Sequence, residues 1–377
     1  MGAGWLPFGH GCMRFLMLNW RDPLNPKSGG AERVSLAYLA ALKRRGHEVW
    51  WFANEYPGCR PGDEVEGIRI VRGGGPGVSI YRAWRWYRTQ PRFDLVIDQH
   101  HGLPWFAPWW CGTHCVAYIH EVLGPIWKAF YSWPISTIGQ WQERWIQQWY
   151  RNVPFWTPSE STRRALNARG IANVTVIPNG VDTAPLPELE PKPLNRPLRL
   201  TTVCRLAPNK RVDHAIQVVR HLQAAGLEAR LTVMGTGEKA EDLKRLAGEL
   251  GVAEGVVFAG QVSEEQKNEG LRQAHLLLHT SIREGWGLNV IEANAMGTPA
   301  VVYPVHGLVD STVHGETGIV TERESPEAMA AVIARLYAQP GEYERLRRNA
   351  WERSKSFQWD RVLPGACGWL EQKAMGR

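Results

Sequence analysis

The fold class this sequence predicts is α/β, with two doubly wound domains facing each other across a cleft. Three observations carry the prediction. The chain has 377 residues, more than one hydrophobic core usually serves. Strand-like and helix-like segments alternate along it in two successive series. A segment with five prolines and no apolar period, residues 183–197, joins the two series. The composition is globular: 44% apolar and 21% charged residues exclude wholesale disorder, collagen and a coiled coil.

The elements follow in order. RFLMLNW (14–20) is the first strand, and a loop rich in Pro, Asn and Gly follows it, ending in Gly29-Gly30. AERVSLAYLAALKRRG then has helical spacing, with Val34, Leu36, Ala37, Leu39, Ala40 and Leu42, and stops at Gly46, where a C-cap glycine belongs. HEVWWFA restarts a strand and completes a βαβ unit. GIRIVR (67–72), DLVID (94–98) and CVAYIH (115–120) read as further strands. A basic, aromatic helix covers about 78–90, another about 138–151, and a third starts at Ser159 before NVTVIPNG. The second series runs LRLTTVC (198–204), LTVMG, GVVFAG, LLLHTS, PAVVY and GIV with helices between, and two helices close the chain at about 341–355 and 359–375. Ligands of such sheets sit at the carboxyl ends of the strands, which here is the cleft.

Charge and tryptophan divide unevenly. The net charge is +7, but residues 1–180 carry +8 and residues 181–377 carry −1, and fifteen of the nineteen Trp lie in the first part. The two parts therefore have different surfaces and different tasks. No stretch is long enough to span a membrane. The start, MGAGWLPFGHGC, lacks the charged and apolar pattern of a secretory signal, and Leu6 stands where myristoylation wants Ser or Thr. Six Cys are too few for a disulfide scaffold, and CGTHC (111–115) has no second ligand pair at zinc spacing, so ordinary thiols and a cytoplasmic compartment are expected.

Chemistry concentrates in three segments. In SIREGWGLNVIEANAMGTPAVVYP (281–304), Glu284 follows a strand, Gly285-Trp286-Gly287 opens a helix, and Glu292 lies inside it among Leu288, Val290, Ile291, Ala293 and Met296. So apolar a helix leaves Glu292 in need of a partner, either the vicinal hydroxyls of a ligand or a cation of the chain. The helix start offers N–H groups to an anion, and its glycines allow close approach. In VCRLAPNKRVDHAI (203–216), Arg205 and Lys210 stand five apart across a proline turn and are expected to converge on one phosphate. Gly29-Gly30 opens the first helix, again suited to close approach of a ligand. No P-loop pattern is present, nor any Asp-x-Asp pair for a metal bridging two phosphates, and no metal site is expected.

Together these features resemble the family-4 retaining glycosyltransferases of GT-B fold. The resemblance rests on Gly29-Gly30-Ala31-Glu32-Arg33, VIPNGVD (176–182), the Arg205/Lys210 pair, the two glutamates eight apart and GLVDSTVHGETG (307–318), and runs from about residue 13 to 360. Trp286 and Asn294 replace the commoner Phe and Met, and Asp310 stands where many members have Glu. The resemblance implies an N-terminal acceptor domain (1–180), a C-terminal donor domain (181–356) and a final helix (357–377) that crosses back, with SFQWDRV at the crossing. It implies a nucleotide-diphosphate sugar donor of UDP or GDP type, bound without a separate cofactor. Arg205 and Lys210 would neutralise the diphosphate and Glu292 would hold the ribose. Glu284, with Gly285, Trp286, Gly287, Leu288 and Asn289, would bind sugar and phosphate. His120 would sit near the sugar's C6 hydroxyl, and Gly30 would approach the phosphate.

The acceptor side is read from the first part. Arg82, Arg85 and Arg88 share a helix face, either as a solvated face or toward an anionic acceptor such as a lipid pyrophosphate or a membrane surface. His100 and His101 end a strand at the cleft side, as acceptor contacts or strand-end residues. Ile138, Trp141, Trp145 and Trp149 form a stripe expected to pack beneath the sheet, with membrane contact as the alternative, and Glu143, Arg144, Gln147 and Gln148 lie largely opposite. LPWFAPWW (103–110) and GPIWKAFYSWP (124–134) read as loops whose exposed aromatics stack on sugars or meet lipid. No nucleic-acid module is present, and nucleic acid is not an expected partner. The expected acceptor is a saccharide or lipid-linked saccharide. A soluble small-molecule acceptor, or a scaffold that binds sugar nucleotides without turnover, remains as the alternative.

Overall fold

The structure is a computed structural model that describes residues 11–75 and 77–376. The lipidation and signal readings of the first residues lie outside them. The first sheet has eight strands: β1 (Arg14–Leu18), β2 (Glu48–Ala53), β3 (Gly62–Val65), β4 (Ile68–Arg72), β5 (Leu95–His100), β6 (His114–Ile119), β7 (Phe155–Thr157) and β8 (Val174–Val176), in the order β3-β4-β2-β1-β5-β6-β7-β8. Only β3 runs antiparallel, on β4. The second sheet is parallel throughout, with β9 (Leu198–Val203), β10 (Ala229–Met234), β11 (Val256–Gly260), β12 (Leu276–His279), β13 (Ala300–Val302) and β14 (Gly318–Val320) in the order β11-β10-β9-β12-β13-β14. Strand order reverses beside β1 and beside β9, and the crevice at such a reversal is where loops diverge to leave room for a ligand.

Both faces of each sheet are covered, so the strands read as apolar runs. On the first sheet, helices Gly30–Arg44 and Trp359–Ala374 cover one face, where Phe15, Met17, Ile97 and Tyr118 meet Leu39, Ala366 and Leu370. The last helix therefore belongs to the core of the first sheet although the second sheet precedes it. Helices Ser79–Tyr87 and Ile135–Trp149 cover the other face, over Leu16, Leu18 and Val96 and over Ala117 and Ile119 respectively.

Two chain crossings connect the halves, side by side. Val181 N–H donates to Phe357 O (3.0 Å), Gln358 Nε2 to Thr183 O (3.1 Å) and Trp359 Nε1 to Asp182 Oδ1 (2.7 Å). Gly180 is required there: a Cβ would lie 2.3 Å from the Trp359 ring. A second tie lies at Asp310, whose carboxylate accepts from Ser161 N–H (3.1 Å), the Ser161 hydroxyl and Gly307 N–H (3.2 Å).

One expectation is reversed. The stripe on helix Ile135–Trp149 does not pack beneath the sheet: Ile138, Trp141, Trp145 and Trp149 are 58%, 64%, 46% and 48% exposed, while Glu143 and Gln147 are buried. The reason lies in the partners of the polar face. Glu143 Oε1 and Oε2 accept the Leu123 and Gly124 backbone N–H groups (2.6 and 3.0 Å), and Gln147 accepts from Arg169. Two elements escape the apolar pattern, strand β3 with its polar sequence GDEV and the five-residue helix Ile126–Phe130, in a segment read as a loop. No helix among the described residues is long and apolar enough to cross a membrane.

Candidate active site

The cleft between the sheets encloses a cavity of about 780 Å³, lined from both halves. On the donor side, the turn after β9 and the loop after β12 are bound together. The Arg211 guanidinium donates to Thr280 O (2.8 Å) and Ser281 O (2.9 Å), the Thr280 hydroxyl donates to Arg211 O (2.8 Å), and Ile282 N–H donates to Asn209 O (2.9 Å). This stapling brings Lys210 Nζ to 2.5 Å from Glu284 Oε1. Burial opposes both charges, but each outweighs that cost for the other: Lys210 is held above the usual lysine range and Glu284 below the usual carboxylate range. His279 Nε2 stands 3.7 Å from the same Glu284 oxygen, and burial pushes its pKa down to about 4.

Arg205 takes another direction. It is exposed and meets Glu238 at 3.3 Å, so the expected convergence of Arg205 and Lys210 on one point is not the arrangement here, although both line the cavity. Gly287, with φ +85°, starts helix Leu288–Ala295, a left-handed conformation that favours glycine. The first N–H groups of that helix have no partners within it. Gly285, Trp286, Gly287, Leu288, Asn289 and Glu292 all line the cavity. Asn289 Nδ2 donates to Val203 O (2.8 Å), holding the helix start against β9. Trp286 packs edge-on to Phe357 at 5.4 Å, which anchors this loop to the crossing.

Glu292 has the cation that its apolar helix demands. Lys267 Nζ stands 2.8 Å from Glu292 Oε1 and 2.7 Å from Glu264 Oε2. Glu264 in turn meets Arg33 of the first half at 3.2 Å. Sequence reading missed Lys267; its signal is a lysine three after Glu264 on a separate helix, which no local spacing links to Glu292.

On the first half, Gly29 and Gly30 open helix Gly30–Arg44, and Glu32 turns back to accept the Gly29 N–H at 2.7 Å. A Cβ on Gly30 would lie 3.2 Å from Leu288 Cδ1, so the two helix starts face each other across the cleft. Two N-termini aimed at one space favour an anion there. His120, after β6, packs over Gly285, where a Cβ would sit 3.0 Å from His120 O. Burial lowers its pKa to about 3, with His101 adding to the effect, so the ring is neutral, and among the described residues Nε2 has no partner. Glu121 beside it has an Oε2 without a partner among the described residues, and burial together with Glu284 pushes its pKa up to about 7.

The remaining expected contacts fall elsewhere. Arg82 and Arg85 on helix Ser79–Tyr87 and Arg88 at its C-terminal cap are exposed, outside the cavity. His100 does not reach the cleft: it is buried edge-on against Tyr150 (4.5 Å) and Phe155 (5.4 Å) as a core residue. His101 is exposed and close enough to His120 to oppose its protonation. Cys111 and Cys115 are free thiols. Asp98 holds the aromatic loop after β5 by accepting the Trp105 and Ala107 N–H groups (both 2.9 Å) and the Tyr150 hydroxyl (2.7 Å). Among the described residues no group of three or more His, Cys, Asp or Glu is disposed to hold a metal ion.

Two family profiles match the chain in tandem. "Glycosyltransferase Family 4" matches residues 28–185 and "Glycosyl transferases group 1" matches residues 188–353. The chain belongs to the group 1, family-4 glycosyltransferases. Curated relatives include D-inositol 3-phosphate glycosyltransferase of Acidothermus cellulolyticus, 31% identical over 52% of this chain and 47% of the relative. Glycogen synthase of Mycobacterium tuberculosis is 30% identical over 51% and 47%. The chain thus spans about half the length of the curated relatives it matches. Among solved structures, sucrose-phosphate synthase of Thermosynechococcus elongatus superposes with TM-score 0.79 at 19% identity, covering 97% of this chain and all of that one. HepE of Anabaena, in complex with UDP and glucose, superposes with TM-score 0.73 at 17% identity over 96% of this chain and all of that one. The glycosyltransferase fold is GT-B.

Proposed function

We propose that the chain is a retaining glycosyltransferase that moves a hexose-type sugar from a nucleotide-diphosphate donor of UDP or GDP type to a glycan, glycolipid or lipid-linked saccharide. The observation that carries the reading is the Lys210–Glu284 pair, 2.5 Å apart, set in a cavity where two helix N-termini face each other. Cationic and dipolar groups stand where negative charge grows on a departing diphosphate. Residues 1–180 form the acceptor side and 181–356 the donor side, with 357–377 returning to the first. The UDP and glucose in the HepE complex support a donor of that class.

In this mechanism Lys210 receives the diphosphate and Arg205 swings from Glu238 to join it. The first turn of helix Leu288–Ala295 takes phosphate oxygens, and Glu292, its charge already balanced by Lys267, accepts the ribose hydroxyls. Glu284 accepts hydroxyls of the sugar, and the neutral His120 ring meets its C6 hydroxyl. The bond from C1 to the diphosphate breaks, a bond from C1 to the acceptor oxygen forms on the same face, and the departing phosphate oxygen takes the acceptor's proton. Lys210, Arg205 and the helix termini supply the positive charge, so the reading includes turnover without an added metal.

Thermal-shift titration against UDP, GDP and ADP sugars tests the donor, since ligand at a hundredfold its Kd stabilises by about 2.7 kcal/mol. Lys210→Ala and Glu284→Ala each lower kcat by about a hundredfold or more when assayed below the variants' own melting temperatures. Turnover close to the parent's in both variants sinks the reading. Loss of activity in EDTA, restored by a divalent ion, removes its metal-independent part.

A further inference from the structure

The outer face of helix Ile135–Trp149 carries a row of large aromatic rings that the described residues leave about half or more exposed. Trp141 stacks on Trp145 (5.8 Å between centroids, 10° between planes), Trp145 meets Trp149 at 4.2 Å, and Trp149 meets Trp109 at 6.3 Å. Just before the helix Trp133 is 81% exposed. Contiguous exposed apolar surface of this kind marks an interaction site rather than ordinary scatter.

Charge says what covers it. Between residues 77 and 151 the chain has seven Lys and Arg, every one of them exposed, and four Asp and Glu, of which only Asp94 is exposed. The face is therefore aromatic and one-signed. The arginine helix lies on the same side of the molecule. In the β5–β6 register Asp98 pairs with Ala117, so Val96, beneath helix Ser79–Tyr87, and Ala117, beneath helix Ile135–Trp149, point to one side of the sheet. Arg82, Arg85 and Arg88 thus extend the same surface, and the Arg88 guanidinium sits 5.0 Å over the Trp84 ring. Tryptophan is the side chain that settles at the boundary of lipid headgroups and acyl chains, with its N–H toward the wet side. Exposed cations around it match anionic headgroups.

We propose that this face, centred on Trp141, Trp145 and Trp149 and rimmed by Arg144, Arg151 and Lys128, docks on an anionic phospholipid bilayer. The inference deepens the proposed function, on which it rests for its purpose, by naming the surface that brings the cleft to a lipid-linked acceptor. The path is short. Glu143 on the buried side of the docking helix holds Leu123 and Gly124, two and three residues beyond Glu121 in the cavity wall, and helix Ile126–Phe130 packs against Pro208–Lys210.

The test is co-sedimentation of the full chain with phosphatidylcholine vesicles, with and without phosphatidylglycerol. Binding is expected only with phosphatidylglycerol, weakening as salt rises. Trp141→Ser combined with Trp145→Ser is expected to weaken it at least about tenfold, and Arg144→Gln with Arg151→Gln to flatten the salt dependence. UDP-sugar binding and donor hydrolysis in the same variants stay at the parent's level, which separates failure of this surface from failure of the cleft reading. A readout free of substitutions is quenching of the parent's tryptophan fluorescence by phosphatidylcholine brominated in the acyl chains, in vesicles that also contain phosphatidylglycerol. Absence of quenching, absence of binding at low salt, or equal binding by the Trp141→Ser/Trp145→Ser variant overturns the proposal. So does a dimer in solution that those substitutions convert to monomer, since a second copy would then be the occupant.

Discussion

Two helices of this molecule each bury a glutamate, and they do so for opposite reasons. Helix Leu288–Ala295 is apolar nearly all round and sinks into the second sheet, carrying Glu292 with it; Lys267 meets the carboxylate at 2.8 Å. Helix Ile135–Trp149 turns Glu143 inward beside Ile146 and Gln147, where the carboxylate takes two backbone N–H groups, while its tryptophans face outward with Arg144 and Gln148. A stripe identifies that a helix has two faces. Which face meets the protein depends on the partners waiting there, and those lie far away in the chain.

Substitutions sharpen the contrast, beginning with the largest effect. Lys267→Met leaves Glu292 without its cation in a buried setting and is expected to cost about 3 kcal/mol of stability in urea unfolding. An unchanged midpoint would mean that the cleft hydrates Glu292 and that the pair is not needed for folding. Glu143→Ala leaves the Leu123 and Gly124 N–H groups unpaired and is expected to cost about 2 kcal/mol by the same measurement. A neutral result would return Glu143 to the solvated role its sequence suggested.

Glu121 tests the region between the two helices by pH. Its folded pKa, about 7, lies above the ordinary carboxylate value because burial and Glu284 disfavour its charge. The unfolded chain releases this proton first, so the carboxyl increasingly destabilises the fold as pH rises through the window between the two values. Glu121→Gln is therefore expected to gain about 2 kcal/mol on the parent between about pH 5 and pH 8. A parallel pair of pH profiles would place Glu121 in water. The smallest effect belongs to the aromatic face: Trp145→Ser is expected to change stability in solution by less than about 0.5 kcal/mol, where a packed tryptophan would cost several times more.

Much of the molecule is legible in its sequence because parallel strands covered on both faces leave long apolar runs, as in FLML before Asn19 or LLLH before Thr280. Glycines that open helices show the donor side equally well, since Gly30 and Gly287 stand where two helix starts meet. What escapes is nonlocal. Strand β3 has no apolar face because it is an exposed edge, so nothing periodic announces it. Lys267 and Arg211 act through residues tens of positions away, on Glu292 and on Thr280–Ser281. His100 looks like a cleft residue from its strand-end position, but the pleat turns its ring into the core under Tyr150.

The paired crossings have a mechanical meaning. Residues 180–183 and 357–359 run alongside one another, bonded strand to strand, with the Trp359 ring wedged on Gly180. Two parallel straps this close give the halves a common axis, and a swing about it disturbs the straps less than a straight separation does. The Ser161–Asp310 contact, the Arg33–Glu264 pair and the packing of helix Ile126–Phe130 on Pro208–Lys210 also join the halves, so a wider cleft mouth requires these contacts to let go. The reach from Lys210 to His120 then follows the angle that these contacts hold.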